Sequence, residues 1–127
     1  MTQNRPVNIN LLKIKLPLSA FLSITHRISG IIIFFIVLPV SVFIFSELTQ
    51  SQDSFNNFMI MYHKNLGIKF GCVGLILIFQ YHIFTGVRHI LMDFHILNES
   101  LSSSYKSAVT TLVLFAVNAL LTLWVML

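Results

Sequence analysis

Hydrophobic and polar positions come in blocks along this chain rather than interleaved. One apolar block runs about 22–46 and is free of charge from Ile28 to Ser46. A second runs about 66–92, uncharged from Phe70 to Val87, and a third, about 107–127, has no charge at all. A helix needs roughly 20 apolar residues to cross about 30 Å of hydrocarbon. The pattern therefore predicts an all-α fold, a bundle of three transmembrane helices forming a single domain over 1–127. Pro39 lies inside the first block and is expected to bend it, because its ring clashes with the carbonyl four residues back. Strands are not expected, since a barrel needs many alternating segments.

The blocks are separated by polar stretches. Residues 1–21 are mixed, and Pro6 and Pro17 argue against one long helix there, so this segment is expected at the membrane surface, with Lys13 and Lys15 beside anionic headgroups. It lacks the continuous apolar core and small-residue cleavage site of a secretory signal. Residues 47–65 and 93–106 read as polar loops, the second holding Asn98, Glu99 and a serine run from 102 to 104. No repeats or low-complexity tracts stand out.

Composition agrees with a lipid environment. Of 127 residues, 56% are hydrophobic and 9% charged, against about 25% charged in soluble domains. So few charges cannot coat a water-facing surface. The net charge of +4 rests on scattered residues, not on a basic stripe, which argues against nucleic-acid binding. Cys72, in an apolar run, has no second cysteine to pair with and reads as a small buried hydrophobe. With three spans, Arg5, Lys13, Lys15, Arg27, Arg88 and Lys106 fall on one side and Lys64 and Lys69 on the other. That bias predicts a cytoplasmic N-terminus, or its organellar equivalent.

Two clusters carry chemistry at membrane depth, where ionisable groups are costly and mark sites. In the first, Ser23, His26, Arg27 and Gly30 share one helical face about 100° wide. The guanidinium can fork onto a carboxylate or donate to a carbonyl; alternatively, His26 and Arg27 snorkel to the headgroups. In the second, His82, Gly86, His89 and Asp93 form a stripe about 60° wide. His82 lies about 9 Å deeper than Arg88 at ~1.5 Å per residue. A neutral imidazole there needs a metal, a haem iron or an acceptor on another helix. Gly86 would clear space for a flat cofactor, and Asp93 is expected to pair with Arg88 or Lys106. Because the first helix enters where the second leaves, the two clusters should meet. His82 and His89 share a face and cannot sandwich one iron, and His63 and His95 fall in or near loops. If a haem is bound, its second axial ligand is expected from another chain. Gly67 and Gly71 offer a weak Gly-x-x-x-Gly contact. Gln80, Tyr81 and Asn118 read as packing or interhelical hydrogen-bonding residues.

The run from Arg5-Pro6-Val7 to Ser23-x-x-His26-Arg27-x-Ser29 resembles the N-terminal signature of the cytochrome b membrane-anchor subunit of succinate dehydrogenase (succinate:quinone oxidoreductase, complex II). His82-x-x-x-Gly86-Val87-Arg88-His89-x-x-x-Asp93 resembles its second signature. The resemblance covers nearly the whole chain. It implies a haem b shared with a second small membrane-anchor subunit, with His82 as the axial iron ligand from this chain. It also implies that Ser23 and Arg27 line a ubiquinone site, that His26 and Arg27 lie near the haem propionates, and that an iron-sulfur subunit and a flavoprotein subunit dock on the anchor. Electrons from succinate would pass to quinone within the tricarboxylic acid cycle and respiratory chain, in a bacterial or mitochondrial inner membrane. No residue here would touch succinate. His95 stands where the family usually has a small residue, often Gly, which puts the turn after the second helix in doubt. Arg88, His89 and Asp93 are candidates for structural or proton-linked roles. The alternatives are a fumarate reductase anchor, a haem-free anchor, and a small channel or transporter, which would need repeats or broken helices that are not evident.

Overall fold

The computed structural model describes residues 16–98 and 100–127. The expectations placed on the first fifteen residues, Arg5, Pro6, Lys13 and Lys15 among them, lie outside the described residues, as does Glu99. The described residues form four helices and no strand: α1 (Leu18–Gln50), α2 (Gln52–Lys64), α3 (Leu66–Asp93) and α4 (Leu101–Met126). α1, α3 and α4 are long and apolar enough to span a bilayer, as the hydrophobic blocks predict.

Helix starts follow local chemistry. Ser51 caps α2 by accepting the Ser54 N–H at 3.1 Å, and Asn65 caps α3 by accepting the N–H groups of Gly67 and Ile68. Ser100 caps α4 through the Ser103 N–H. Each side-chain oxygen satisfies a donor that the first turn leaves unpaired. Two expected loops are therefore largely helical. Residues 52–64 form a helix of their own, and α4 begins at Leu101, not near 107. The serines at 102–104 lie in the first turn of a span.

The disturbance expected at Pro39 takes a specific form. α1 remains continuous but widens to a π turn over Ile33–Val37, where the Leu38 N–H reaches the Ile33 carbonyl five residues back. Proline has no N–H for the Phe35 carbonyl and would press its ring against it. A widened turn removes that conflict without breaking the helix.

The interior is polar for its size. Leu22, Ile33, Val37, Val73 and Ala108 are the buried apolar residues, and Ser29, Thr85, Arg88, Ser104 and Thr111 are buried beside them. Large apolar side chains face outward: Phe35 is 70% exposed and Trp124 82%. This distribution suits lipid as solvent, where polar groups must find partners inside the bundle. Arg88 illustrates it. Its Nε donates to Ser107 Oγ at 3.1 Å, and one Nη to the Ser104 carbonyl and hydroxyl at 3.2 Å, tying α3 to α4. It does not pair with Asp93, which stays exposed at the end of α3. Buried between two helices, the guanidinium is nearer the α4 serines than the end of its own helix.

At the opposite end, Tyr62 OH donates to the Met126 carbonyl at 2.9 Å and Lys69 Nζ to the Leu127 carbonyl at 2.7 Å. These bonds fix α2 and the start of α3 against the end of α4. A Cβ on Gly71 would meet nothing within 4 Å, so the Gly67–Gly71 pair is not a packing point within this chain.

α3 ends in a Schellman turn. The Ile96 N–H donates to the Leu91 carbonyl at 3.0 Å and the His95 N–H to Met92 at 2.9 Å, with His95 left-handed at φ 56°. This position favours glycine, and histidine tolerates it better than most residues do. The turn thus forms despite His95. His95→Gly should stabilise the chain by about 0.5–1 kcal/mol, the relieved strain less the entropy glycine adds to the unfolded state. The check is the unfolding midpoint in detergent; an unchanged midpoint would mean that contacts of the imidazole offset the strain.

Candidate functional site

The start of α1 and the end of α3 meet where the sequence clusters place them, and the contact is made by histidines. The rings of His26 and His82 stack with centroids 4.1 Å apart and planes 13° apart. His89 lies 5.1 Å from His26, tilted by 47°. Two glycines make room. A Cβ on Gly30 would come within 3.2 Å of His82 Cε1, and one on Gly86 within 3.1 Å of His26 Cε1. Each imidazole therefore lies against the glycine of the opposite helix. Gly86 does clear space for a flat group, as expected, but within this chain that group is the ring of His26.

The hydrogen bonds repeat the exchange. Ser29 Oγ donates to the His26 carbonyl at 2.7 Å, so towards His82 Nδ1, 2.9 Å away, it accepts. Thr85 Oγ1 donates to the Tyr81 carbonyl at 2.8 Å, so towards His26 Nδ1, also 2.8 Å away, it accepts. A hydroxyl has one hydrogen to give. With the hydroxyl hydrogens on these carbonyls, Nδ1 of both histidines carries a hydrogen, and in the neutral rings Nε2 keeps its lone pair.

One short pattern explains the symmetry. His26-x-x-Ser29-Gly30 on α1 and His82-x-x-Thr85-Gly86 on α3 are the same His-x-x-(Ser/Thr)-Gly unit. On antiparallel helices, each unit supplies the ring, the hydroxyl and the gap that the other requires. Ser29 and Thr85, 5% and 1% exposed, were given no role from sequence. The signal that would have found them is the shared spacing, shorter than the repeats a segment-level reading looks for.

The remaining site residues divide. Ser23 is half-buried and Arg27 exposed on α1, one turn apart on the face that carries His26. Neither has a hydrogen bond among the described residues. Arg88 belongs to the α3–α4 contact, not to the histidines. His63 stands beside Tyr62 at the far end of the bundle, and His95 in the turn after α3. Tyr81, read as packing, bonds through its hydroxyl to Thr25 on α1 and meets Phe115 on α4 edge-on at 5.3 Å, joining all three spans. Gln80 Nε2 donates to Thr122 Oγ1 at 2.8 Å, a second α3–α4 tie, while its Oε1 is buried without a partner among the described residues.

His82 fits an axial haem ligand in its chemistry. In the neutral ring, Nδ1–H is held by an oxygen and the Nε2 lone pair is free, as metal-bound histidines require. Iron binds in the imidazole plane, and the stack with His26 covers the face, so the two contacts do not exclude each other. His26 cannot be the opposite axial ligand, because its ring lies parallel to and beside that of His82 and not across an iron from it. Among the described residues no group of three or more His, Cys, Asp or Glu side chains is arranged to hold a bare metal ion.

Comparisons with known proteins give the chain its relatives. Residues 1–124 match the family described as Succinate dehydrogenase/Fumarate reductase transmembrane subunit. Among curated proteins, the succinate dehydrogenase cytochrome b556 subunit of Coxiella burnetii is 36% identical over 93 residues, covering 73% of this chain and 74% of that one. The cytochrome b560 subunit of Porphyra purpurea is 34% identical over 112 residues, 87% of this chain and 88% of that one. That of Chondrus crispus is 32% identical over 100 residues, 72% of each. With three membrane-spanning helices and matches over most of its length, this multi-pass membrane chain belongs to the succinate dehydrogenase/fumarate reductase transmembrane subunit family.

Proposed function

We propose that the chain is the cytochrome b anchor of a succinate:quinone oxidoreductase, supplying His82 to a haem b and Ser23 and Arg27 to a ubiquinone-reduction site. The observation that carries this reading is the imidazole of His82, held through Nδ1 and bare at Nε2 at membrane depth. A haem here would supply a one-electron relay within the membrane. His82 would hold the haem from this chain, and a second membrane subunit would supply the remaining iron ligand, since His26 lies beside the His82 ring. The relatives' names favour succinate oxidation over fumarate reduction.

The chain's own residues divide the work. Arg27, charged and without a hydrogen bond among the described residues, turns its donors to a quinone carbonyl or to a haem propionate, and Ser23, one turn earlier, adds a hydroxyl on the same face. These donors would stabilise the negative charge that grows on the quinone oxygen as electrons arrive. His26 already gives its Nδ1 hydrogen to Thr85, so it can donate to a propionate only through Nε2, as the imidazolium. The succinate-binding flavoprotein and the iron-sulfur subunit would dock at the end where α1 begins and α3 ends, on the cytoplasmic or matrix side of an inner membrane. Protons for the quinone would enter from that side.

The test is a reduced-minus-oxidised optical spectrum of the complex purified with its co-expressed membrane partner. A sharp b-type α band is expected. Its absence would make the chain a haem-free anchor and return His82 to a purely structural hydrogen bond.

A further inference from the structure

We propose that Ser29 is a positioning residue for His82: by accepting the Nδ1 hydrogen, its hydroxyl selects the tautomer that offers Nε2 to iron and holds the ring at that angle. The inference rests on the haem reading above and concerns a residue that reading does not use. Three observations carry it. The Ser29 hydroxyl lies 2.7 Å from the His26 carbonyl in its own helix, to which it can only donate. With its hydrogen on that carbonyl, it faces His82 Nδ1, 2.9 Å away, as an acceptor. It is also almost entirely buried, at 5% exposure, so no water stands ready to replace it. Finally, the ring cannot slide away to another partner, since Gly30 bounds it on one side at 3.2 Å from a would-be Cβ and His26 covers its face.

Two consequences follow for a bound iron. Without the hydroxyl, the other neutral tautomer, which carries its hydrogen on Nε2 and cannot ligate through that atom, gains ground. Where the ligand still binds, an imidazole whose Nδ1–H lacks an acceptor is a weaker donor to iron. A weaker donor stabilises ferric iron less than ferrous, so the reduction potential rises. Partners of this kind typically change metal affinity by about 10–100-fold. A tenfold change confined to the ferric state reads as a rise of about 59 mV in a one-electron titration.

The experiment is a potentiometric titration of the haem in the intact, purified complex, with the haem-to-protein ratio and the ferric electron paramagnetic resonance spectrum recorded alongside. Wild type, Ser29→Ala, Ser29→Thr and Thr122→Val are compared. Thr122→Val removes an interhelical hydroxyl bond on α4, to Gln80, that involves neither His82 nor Ser29, and controls for loosening of the bundle. The expected result is a raised potential or a lowered haem ratio in Ser29→Ala, shifted ferric g-values, recovery in Ser29→Thr, and no change in Thr122→Val. A Ser29→Ala complex with wild-type potential, haem ratio and g-values would overturn the proposal. So would equal shifts in Ser29→Ala and Ser29→Thr, which would trace the effect to side-chain volume, and so would an equal shift in Thr122→Val. A wild-type complex without a b-type band would instead remove the haem reading itself, a failure distinct from the others because it appears before any variant is made.

Discussion

A complex carrying Arg27→Leu is expected to reduce ubiquinone roughly 100-fold more slowly than wild type, while its oxidation of succinate with an artificial dye acceptor stays unchanged. Leucine keeps most of the apolar stem and removes the donors and the charge. Loss of one preorganised donor to a developing oxyanion typically costs about 10²–10³ in rate. Arg27 should show the full effect, because it has no hydrogen bond among the described residues and so is not needed to hold the helices together. The bundle around it is tied by Ser29, Thr85, Tyr81 and Arg88 instead. Dye-linked activity separates the steps, since the dye takes electrons upstream of the quinone. Near-wild-type quinone reduction in the variant would remove Arg27 from the site.

His82→Ala is the second large expectation. The b-type α band should fall by at least roughly tenfold per complex, since removing a ligand should cost no less than removing its hydrogen-bond partner. His89→Ala serves as the comparison, because His89 shares the helix face and the neighbourhood of His26 but is assigned no bond to iron, and it should keep the band. An undiminished band in His82→Ala, or equal losses in both variants, would take the ligand assignment away from His82.

The spans were legible because their signal is long and uncharged, and no local preference competes with it. The helix over 52–64 was not, because its polar residues resemble a loop. Its marks were local: Ser51 at the cap, Asp53 in the first turn, and His63 and Lys64 in the last. The start of α4 was misplaced for a related reason. A serine run reads as solvent-exposed until a partner is known, and the partner of Ser104, Arg88, comes from another helix. In the site, the meeting of the two clusters could be deduced from depth alone. The Arg88–Asp93 pairing expected from sequence proximity gave way to burial against α4. The exchange of rings and hydroxyls between α1 and α3 depended on facing across a helix pair, which only the repeated five-residue spacing encodes.

The π turn at Ile33–Val37 uncouples the length of α1 from its facing. Elsewhere in a helix, deleting one residue rotates everything beyond it by about 100°. Here the wide turn already holds a surplus residue. A single deletion within 33–37 would close it to an ordinary α turn and leave both flanks facing as before, His26 towards His82 and Ile44 on the side of Leu75. Differences in length between this chain and its kin should then be absorbed at this join, where alignments would open a gap inside an apparently unbroken span.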